Sequence, residues 1–371
     1  MFNFACSFVI SLLATALVMQ AGRYSRAAID LDMDGAQRFH ARPVPRIGGI
    51  GLVVACSTAT AALAYWDPFL ASLLAILLFC SAMVFVAGLA EDLTKQVRPA
   101  IRLASAFASA GLAAALLQAC ITRVGIAGLD AYLALPLVGA LAAVLCTAAL
   151  VNAVNIIDGF NGLAGVTSLA MSGSLAYVAL QVNDPFVLAG ALILCGALLG
   201  FLVWNYPRGL VFLGDGGAYF VGFMLAQLGI LLVARNPQVS AWYPALLFIY
   251  PIFETAFSIY RKKLVRGISP SIPDGMHLHM LIYKRVIRWM APGHDTVLQT
   301  RRNAATSPYL WGLSLLSIVP ATLGWQYGSL LAAFLALFIA AYLWLYTAIV
   351  RFRTPKWMVL RGTKVSQSYH T

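Results

Sequence analysis

Long apolar runs alternate with short polar segments along the whole chain. Eleven runs approach the length of about 20 residues that a helix needs to cross a bilayer: 2–21, 47–65, 69–90, 103–121, 133–151, 163–180, 186–204, 218–234, 243–260, 308–324 and 328–350. The pattern predicts an all-α, polytopic integral membrane protein, with one transmembrane domain over residues 1–371, no internal repeat and no soluble second domain. The first run has no basic stretch before it, and its arginines follow it. It is therefore read as a retained helix rather than a signal peptide.

The connections fall into two alternating sets. One comprises 22–46, 91–102, 205–217, 261–306 and the tail 351–371; the other comprises the short segments near 66–68, 122–132, 181–185, 235–242 and 325–327. Of the 25 Lys and Arg residues, all but Arg123 and Arg235 lie in the first set. The positive-inside rule places that set in the cytoplasm, the N-terminus in the periplasm and the C-terminus in the cytoplasm. Within 261–306, Leu278, Leu281, Ile282, Val286, Trp289 and Met290 recur at helical spacing with Lys284, Arg285 and Arg288 between them, which predicts an amphipathic helix on the cytoplasmic membrane surface.

Composition agrees: 61% of residues are apolar and 10% charged, against about 25% charged in soluble domains. Mean hydropathy is +0.84. The net charge of +12 is explained by loop bias and excludes nucleic acid as the implied partner. The six cysteines all lie in apolar runs, without a CxxC pair, and read as small buried hydrophobes.

The acids are placed where apolar runs end. Glu91-Asp92 follow the run 69–90, Asp158 closes the stretch Asn152-Ala-Val-Asn155-Ile-Ile-Asp158, and Asp215 stands in Phe212-Leu-Gly-Asp-Gly-Gly217. Hydrocarbon cannot solvate an anion, so carboxylates gathered at one boundary suggest a shared task, such as a magnesium–phosphate site facing water. Asn152, Asn155 and Asp158 suit a nucleotide or a metal shell, and the N–H groups at the start of the run after Asp215 suit phosphate oxygens. Asp274-Gly-Met-His277-Leu-His279 offers phosphate contact or proton transfer more readily than zinc ligation. His40, Arg42 and Arg46 precede Gly48-Gly49 in a loop able to close over an anion. Glu254 alone falls within a run. So sparse a midplane argues against an ion-coupled transporter.

In order along the chain, the PVPRIGG loop (43–49), Glu91-Asp92, NAVNIIDGFNGLAG (152–165), FLGDGG (212–217) and SPSIPDGMHLH (269–279) resemble the polyprenyl-phosphate N-acetylhexosamine-1-phosphate transferases. This is glycosyltransferase family 4, whose O-antigen- and capsule-initiating branch is related to phospho-N-acetylmuramoyl-pentapeptide translocase. The resemblance implies ten or eleven helices in a bacterial inner membrane, with the active site on the cytoplasmic face. It implies magnesium as cofactor, with manganese as a substitute, a UDP-N-acetylhexosamine donor and a polyprenyl phosphate acceptor, and leaves a homodimer open. By resemblance Asp215 binds the metal. Glu91, Asp92 and Asp158 are catalytic; His40, Arg46, Asn152, Asn155, Asn161, Arg266, His277 and His279 bind substrate. Asn161 stands where many members carry a second aspartate, Gly275 and Met280 replace a common arginine and histidine, and Glu91 and Glu254 replace common aspartates. These departures favour the O-antigen or capsule branch over the peptidoglycan enzyme, which is the alternative within the family. A CDP-alcohol phosphotransferase lacks support, since Asp158-Gly159 is followed by Phe160-Asn161-Gly162-Leu163 rather than its signature. A transporter or flippase is the alternative of another class.

Overall fold

The computed structural model describes residues 2–24, 44–269, 272, 274–287, 295–353, 355 and 358, with side chains described from 2–21 in the first helix. Helices α1 (Phe2–Tyr24), α2 (Gly48–Leu63), α3 (Pro68–Thr94), α4 (Pro99–Leu117), α5 (Ala127–Leu133), α6 (Pro136–Ile157) and α7 (Leu163–Gln181) come first. Then follow α8 (Pro185–Asn205), α9 (Gly214–Arg235), α10 (Trp242–Leu247), α11 (Ile249–Tyr260), α12 (Leu278–Ile282), α13 (Thr296–Leu323) and α14 (Gly328–Val350). Among the described residues there is no strand.

Eight of these helices are long and apolar enough to cross a membrane, consistent with a polytopic membrane protein. The apolar runs fall largely on helices, but three of the eleven differ from simple spans. Helix α2 has only 16 residues. Run 243–260 is divided into α10 and α11 at Phe248; Pro251 has no N–H to bond the carbonyl four residues back, which ends the first piece. Run 308–324 is the second half of α13, whose first half carries Arg301 and Arg302. The polar connections are also shorter than the pattern suggested. Helix α3 continues through Glu91-Asp92 to Thr94, Lys95 turns left-handed at φ 57°, and Pro99 starts α4 at once.

Helix α9 is the axle of the bundle. It is apolar on all sides and buried along nearly its whole length, as such a helix must be. It packs against α2, α3, α4, α6, α7 and α8. Close crossing is possible because glycine meets glycine: a Cβ on Gly49 would overlap the Gly217 backbone, and one on Gly88 would overlap Gly216. Small residues at crossings let helices approach where no hydrophobic effect drives them together. These two crossings bring the starts of α2 and α9 and the end of α3 together. At the other end of α9, Arg123 donates to the carbonyls of Val233, Asn236 and Val239 (3.1, 3.1 and 2.8 Å), and Arg235 pairs with Asp184 at 2.9 Å. The two cations outside the basic loops thus close helix ends.

The segment expected on the membrane surface does not lie there. Leu278, Leu281, Ile282 and Val286 are buried in the protein core, in α12 and the π-helical turn Tyr283–Ile287. Trp289 and Met290 lie outside the described residues. The exposed apolar side chains are instead Ile259, Tyr260, Leu264 and Val265, just upstream. A helical apolar stripe is the same whether it faces lipid or protein, so the pattern alone could not choose.

Candidate functional site

The loop before α2 runs beside the loop before α9. Phe212 N–H donates to the Pro45 carbonyl (3.0 Å), Gly48 N–H to Phe212 (2.9 Å) and Gly49 N–H to Leu213 (3.0 Å). This pairing sets Arg46 against Gly214, whose φ is 73°. A side chain at 214 would collide with the Arg46 carbonyl and the Asp92 carboxylate, so glycine is required by both conformation and space.

Leu213 cannot cap α9 with a side chain. Asp92 does so from α3: its Oδ1 accepts from Asp215 N–H (3.0 Å) and its Oδ2 from Gly216 N–H (2.9 Å). Asp92 is only 2% exposed. Asp158, at the C-terminal cap of α6, accepts from the Gly214 N–H. The first N–H groups of α9, expected to be free for phosphate, are therefore taken by two carboxylates from other helices. A helix N-terminus favours negative charge, and here the protein supplies it.

Asp215 points back across the same end and forms an ion pair with Arg102 of α4, with both side chains partly accessible. Arg102 also engages the Tyr219 hydroxyl one turn further along α9, and Asn155 Nδ2 lies 3.5 Å from that hydroxyl. Glu91 accepts from Val97 N–H at 2.8 Å and acts on Arg102 electrostatically. Burial pushes the Asp158 carboxyl up to about 7; Arg46 opposes the shift, while Asp92 and Asp215 add to it. Glu91, Asp92, Asp158, Asp215, Arg46 and Asn155 thus converge at one end of the bundle. Asn152, a turn earlier on α6, donates to its own helix at Ala148 (2.8 Å).

Other expected residues lie apart from this convergence. Asn161 is buried and structural in its bonds: its N–H donates to Asn303 (2.7 Å), its Nδ2 to the Pro207 carbonyl (2.9 Å), and its carbonyl accepts from Ser307 (2.6 Å). It fastens the entry of α7 to α13. His277 and His279 belong to a second polar cluster. Glu254 accepts from His277 Nδ1 (3.0 Å), Leu278 N–H (3.0 Å) and Tyr342 (2.8 Å). Asp274 receives Arg261 on both oxygens (3.0 and 2.8 Å) and Arg266 at 3.4 Å. Burial opposes ionisation of Asp274, but the Arg261 bonds and charge hold its carboxyl below the usual range. His279 is fully buried and stacks on His277 with ring centres 5.3 Å apart; burial pushes it down to about 3, which keeps it neutral. It also meets Phe160 in a T-shaped contact, with ring centres 5.5 Å apart, two residues past Asp158, so the two clusters adjoin. His40 lies outside the described residues.

Arg102 and Tyr219 carry no motif and were not singled out from the sequence. A signal existed for Arg102: a cation in the first turn of a helix opposes the dipole and calls for an anionic partner.

Among the described residues, no three His, Cys, Asp or Glu side chains gather closely enough to enclose a metal. Magnesium does not need such a cage, since one or two carboxylates plus waters and substrate phosphates complete its octahedron. Asp215, accessible and with a hard oxygen donor, fits that role; Asp92, with both oxygens committed to N–H groups, fits it less well. Alongside the C-terminal half of α9 there is also an apolar cavity of ≈ 320 Å³, lined by Cys146, Leu150, Ile230, Phe248 and Ile252 among others.

Carboxylates, cations and amides thus gather at one end of an apolar helical bundle. Residues 74–233 match Glycosyl transferase family 4. The chain is 27% identical over 289 residues to the probable undecaprenyl-phosphate N-acetylglucosaminyl 1-phosphate transferase of Bacillus subtilis, covering 75% of this chain and 77% of that one. It is 28% identical over 340 residues to the decaprenyl-phosphate N-acetylglucosaminephosphotransferase of Mycolicibacterium smegmatis, covering 82% and 77%. A shorter match, 31% over 112 residues, covers 29% of this chain and 32% of the putative UDP-N-acetylglucosamine–dolichyl-phosphate N-acetylglucosaminephosphotransferase of Sulfolobus acidocaldarius. The family match over residues 74–233, with relatives named as N-acetylglucosamine phosphotransferases over three quarters or more of the chain, supports a sugar-phosphate transferase similar to the polyprenyl-phosphate N-acetylhexosamine-1-phosphate transferases.

Proposed function

We propose that the protein transfers the sugar 1-phosphate of a UDP-N-acetylhexosamine to undecaprenyl phosphate and releases UMP, starting a lipid-linked cell-envelope polysaccharide of the O-antigen or capsule type. N-acetylglucosamine is the sugar named in the relatives' activities and is the first donor to test. The chain crosses the bacterial inner membrane eleven times, its N-terminus is periplasmic, and the carboxylate end faces the cytoplasm, where the basic loops meet anionic headgroups. The observation that carries this reading is the convergence of Asp92, Asp158 and Asp215 on the N-terminus of α9.

In this scheme an oxygen of the lipid phosphate attacks the sugar-linked phosphorus, the bond to the UMP oxygen breaks, and UMP leaves with that electron pair. Both reactants are anions, so alignment and charge neutralisation dominate the barrier. Asp215 would hold Mg2+, or Mn2+ in its place, which when bound neutralises pyrophosphate charge. Arg46 adds a fixed cation near Asp158. Asn155 and Asp158 border the space for the nucleotide sugar. Asp92 fixes the helix end that presents Asp215, and Glu91 holds the turn after α3. A phosphate monoester is largely dianionic above its second pKa of ~6, so no strong base is needed to activate it.

The test is UMP release by purified protein supplied with Mg2+, undecaprenyl phosphate and a panel of UDP-sugars. Wild type should release UMP with at least one UDP-N-acetylhexosamine, and Asp215→Asn should not. Full activity in Asp215→Asn, or no turnover with any donor, would overturn the proposal.

A further inference from the structure

Arg102 occupies an adverse position. It lies in the first turn of α4, where the helix presents its positive end and a cation is disfavoured. What holds it there comes from other elements: the Asp215 carboxylate and Tyr219 hydroxyl of α9, and the charge of Glu91 on α3. A guanidinium has five donors in a rigid fork, and the buried Nε–H of this one meets no acceptor.

The charges explain why it is retained. Glu91, Asp92, Asp158 and Asp215 crowd one end of the bundle, and repulsion among them is relieved by Arg46 and Arg102. Arg102 is the cation paired directly with the carboxylate that best fits a divalent ion. The same carboxylate oxygen cannot be neutralised by both at close range, because a guanidinium beside a dication is repelled by it.

Resting on the reading of Asp215 as the metal ligand, we propose that Arg102 is the resident counter-ion of Asp215 and is displaced when the metal enters. The ion pair is a latch between α4 and α9. It stabilises the acid cluster before loading and weakens metal binding until substrate phosphate is present to share the ion. The freed guanidinium then turns to the remaining anions, among them Glu91, whose charge already acts on it. Arg102 acts here as a positioning residue, since it works through Asp215.

The experiment uses purified full-length protein without lipid phosphate or nucleotide sugar. Free Mn2+ is measured by electron paramagnetic resonance for wild type, Arg102→Gln, Arg102→Lys and Asp215→Asn. Removing the guanidinium should tighten Mn2+ binding about tenfold in Arg102→Gln, equivalent to ~1.4 kcal/mol, while Arg102→Lys stays closer to wild type. Asp215→Asn should lose the site. In wild type alone, which avoids any folding defect, Mg2+ should shift the infrared guanidinium stretching bands that Arg102→Lys lacks. Equal or weaker Mn2+ binding in a folded Arg102→Gln protein, or unshifted bands, overturns the latch and leaves Asp215 as a metal ligand. An absence of Mn2+ binding to wild type, or its persistence in Asp215→Asn, overturns the metal assignment and the latch with it.

Discussion

Replacing Asp92 with alanine removes two hydrogen bonds that an anion accepts from the start of α9, at 3.0 and 2.9 Å. Hydrogen bonds to charged groups contribute ~1.5–3 kcal/mol each, and an orphaned buried N–H costs ~1–3 kcal/mol. The site is 2% exposed, so water cannot replace the lost acceptor easily. Some relief comes from reduced repulsion with Asp158 and Asp215. A net loss of ~3 kcal/mol is expected, which is large against total stabilities of ~5–15 kcal/mol. The assay is thermal unfolding in a fixed detergent, followed by intrinsic fluorescence, with UMP release measured in parallel. Asp92→Ala should melt several degrees below wild type and lose transfer. Asp92→Asn keeps one acceptor but turns an NH2 toward the second N–H, so it should also melt lower. If Asp92→Ala melts with wild type while transfer disappears, the cap is energetically irrelevant and Asp92 acts in the chemistry alone.

Asn161→Asp, the change that would restore the acid common in the family, should destabilise this protein: Nδ2 donates to the Pro207 carbonyl, and a carboxylate there would face that oxygen unpaired. The same thermal assay checks this, and an unchanged melting temperature would contradict it. Stability of the metal-free protein should also depend on pH through Asp158. Its carboxyl is raised to about 7 in the folded state, by burial first and by neighbouring acids after it, whereas an unfolded carboxyl titrates near ~4. Between those values the folded protein holds a proton the unfolded chain has lost, so stability falls as pH rises. Melting in EDTA should drop from pH 5 to pH 7.5, and Asp158→Asn should flatten the slope; an equal slope in the variant counts against the assignment.

Much of this was legible in the sequence because bilayer physics is blunt. An apolar run near 20 residues has few alternatives to a helix, and the acids at run ends marked the polar end of the bundle before any contact was known. What could not be read was which partner each acid would meet. Arg102 and Asp215 are 113 positions apart, and Glu254 finds His277 and Tyr342 across 23 and 88. Local spacing carries no trace of such pairings. The Asp92 cap was hidden for a related reason, since a helix start is ordinarily capped by its own preceding residue, and Leu213 has no group to offer. Hydropathy misplaced residues 278–287 because lipid and protein interior are equally apolar, and it passed over the break at Phe248 because both halves are.

The cap also bears on how the molecule is made. Helices α3 and α6 are synthesised before α9, and chains fold from the N-terminus as they emerge. Until α9 arrives, Asp92 and Asp158 lack the N–H groups they hold in the finished bundle, and water must solvate them. The acid cluster is therefore assembled only after the ninth helix has entered. A nascent chain halted before Gly214 carries most of the conspicuous motifs but no assembled acid cluster, which makes arrival of α9 the step that completes that cluster.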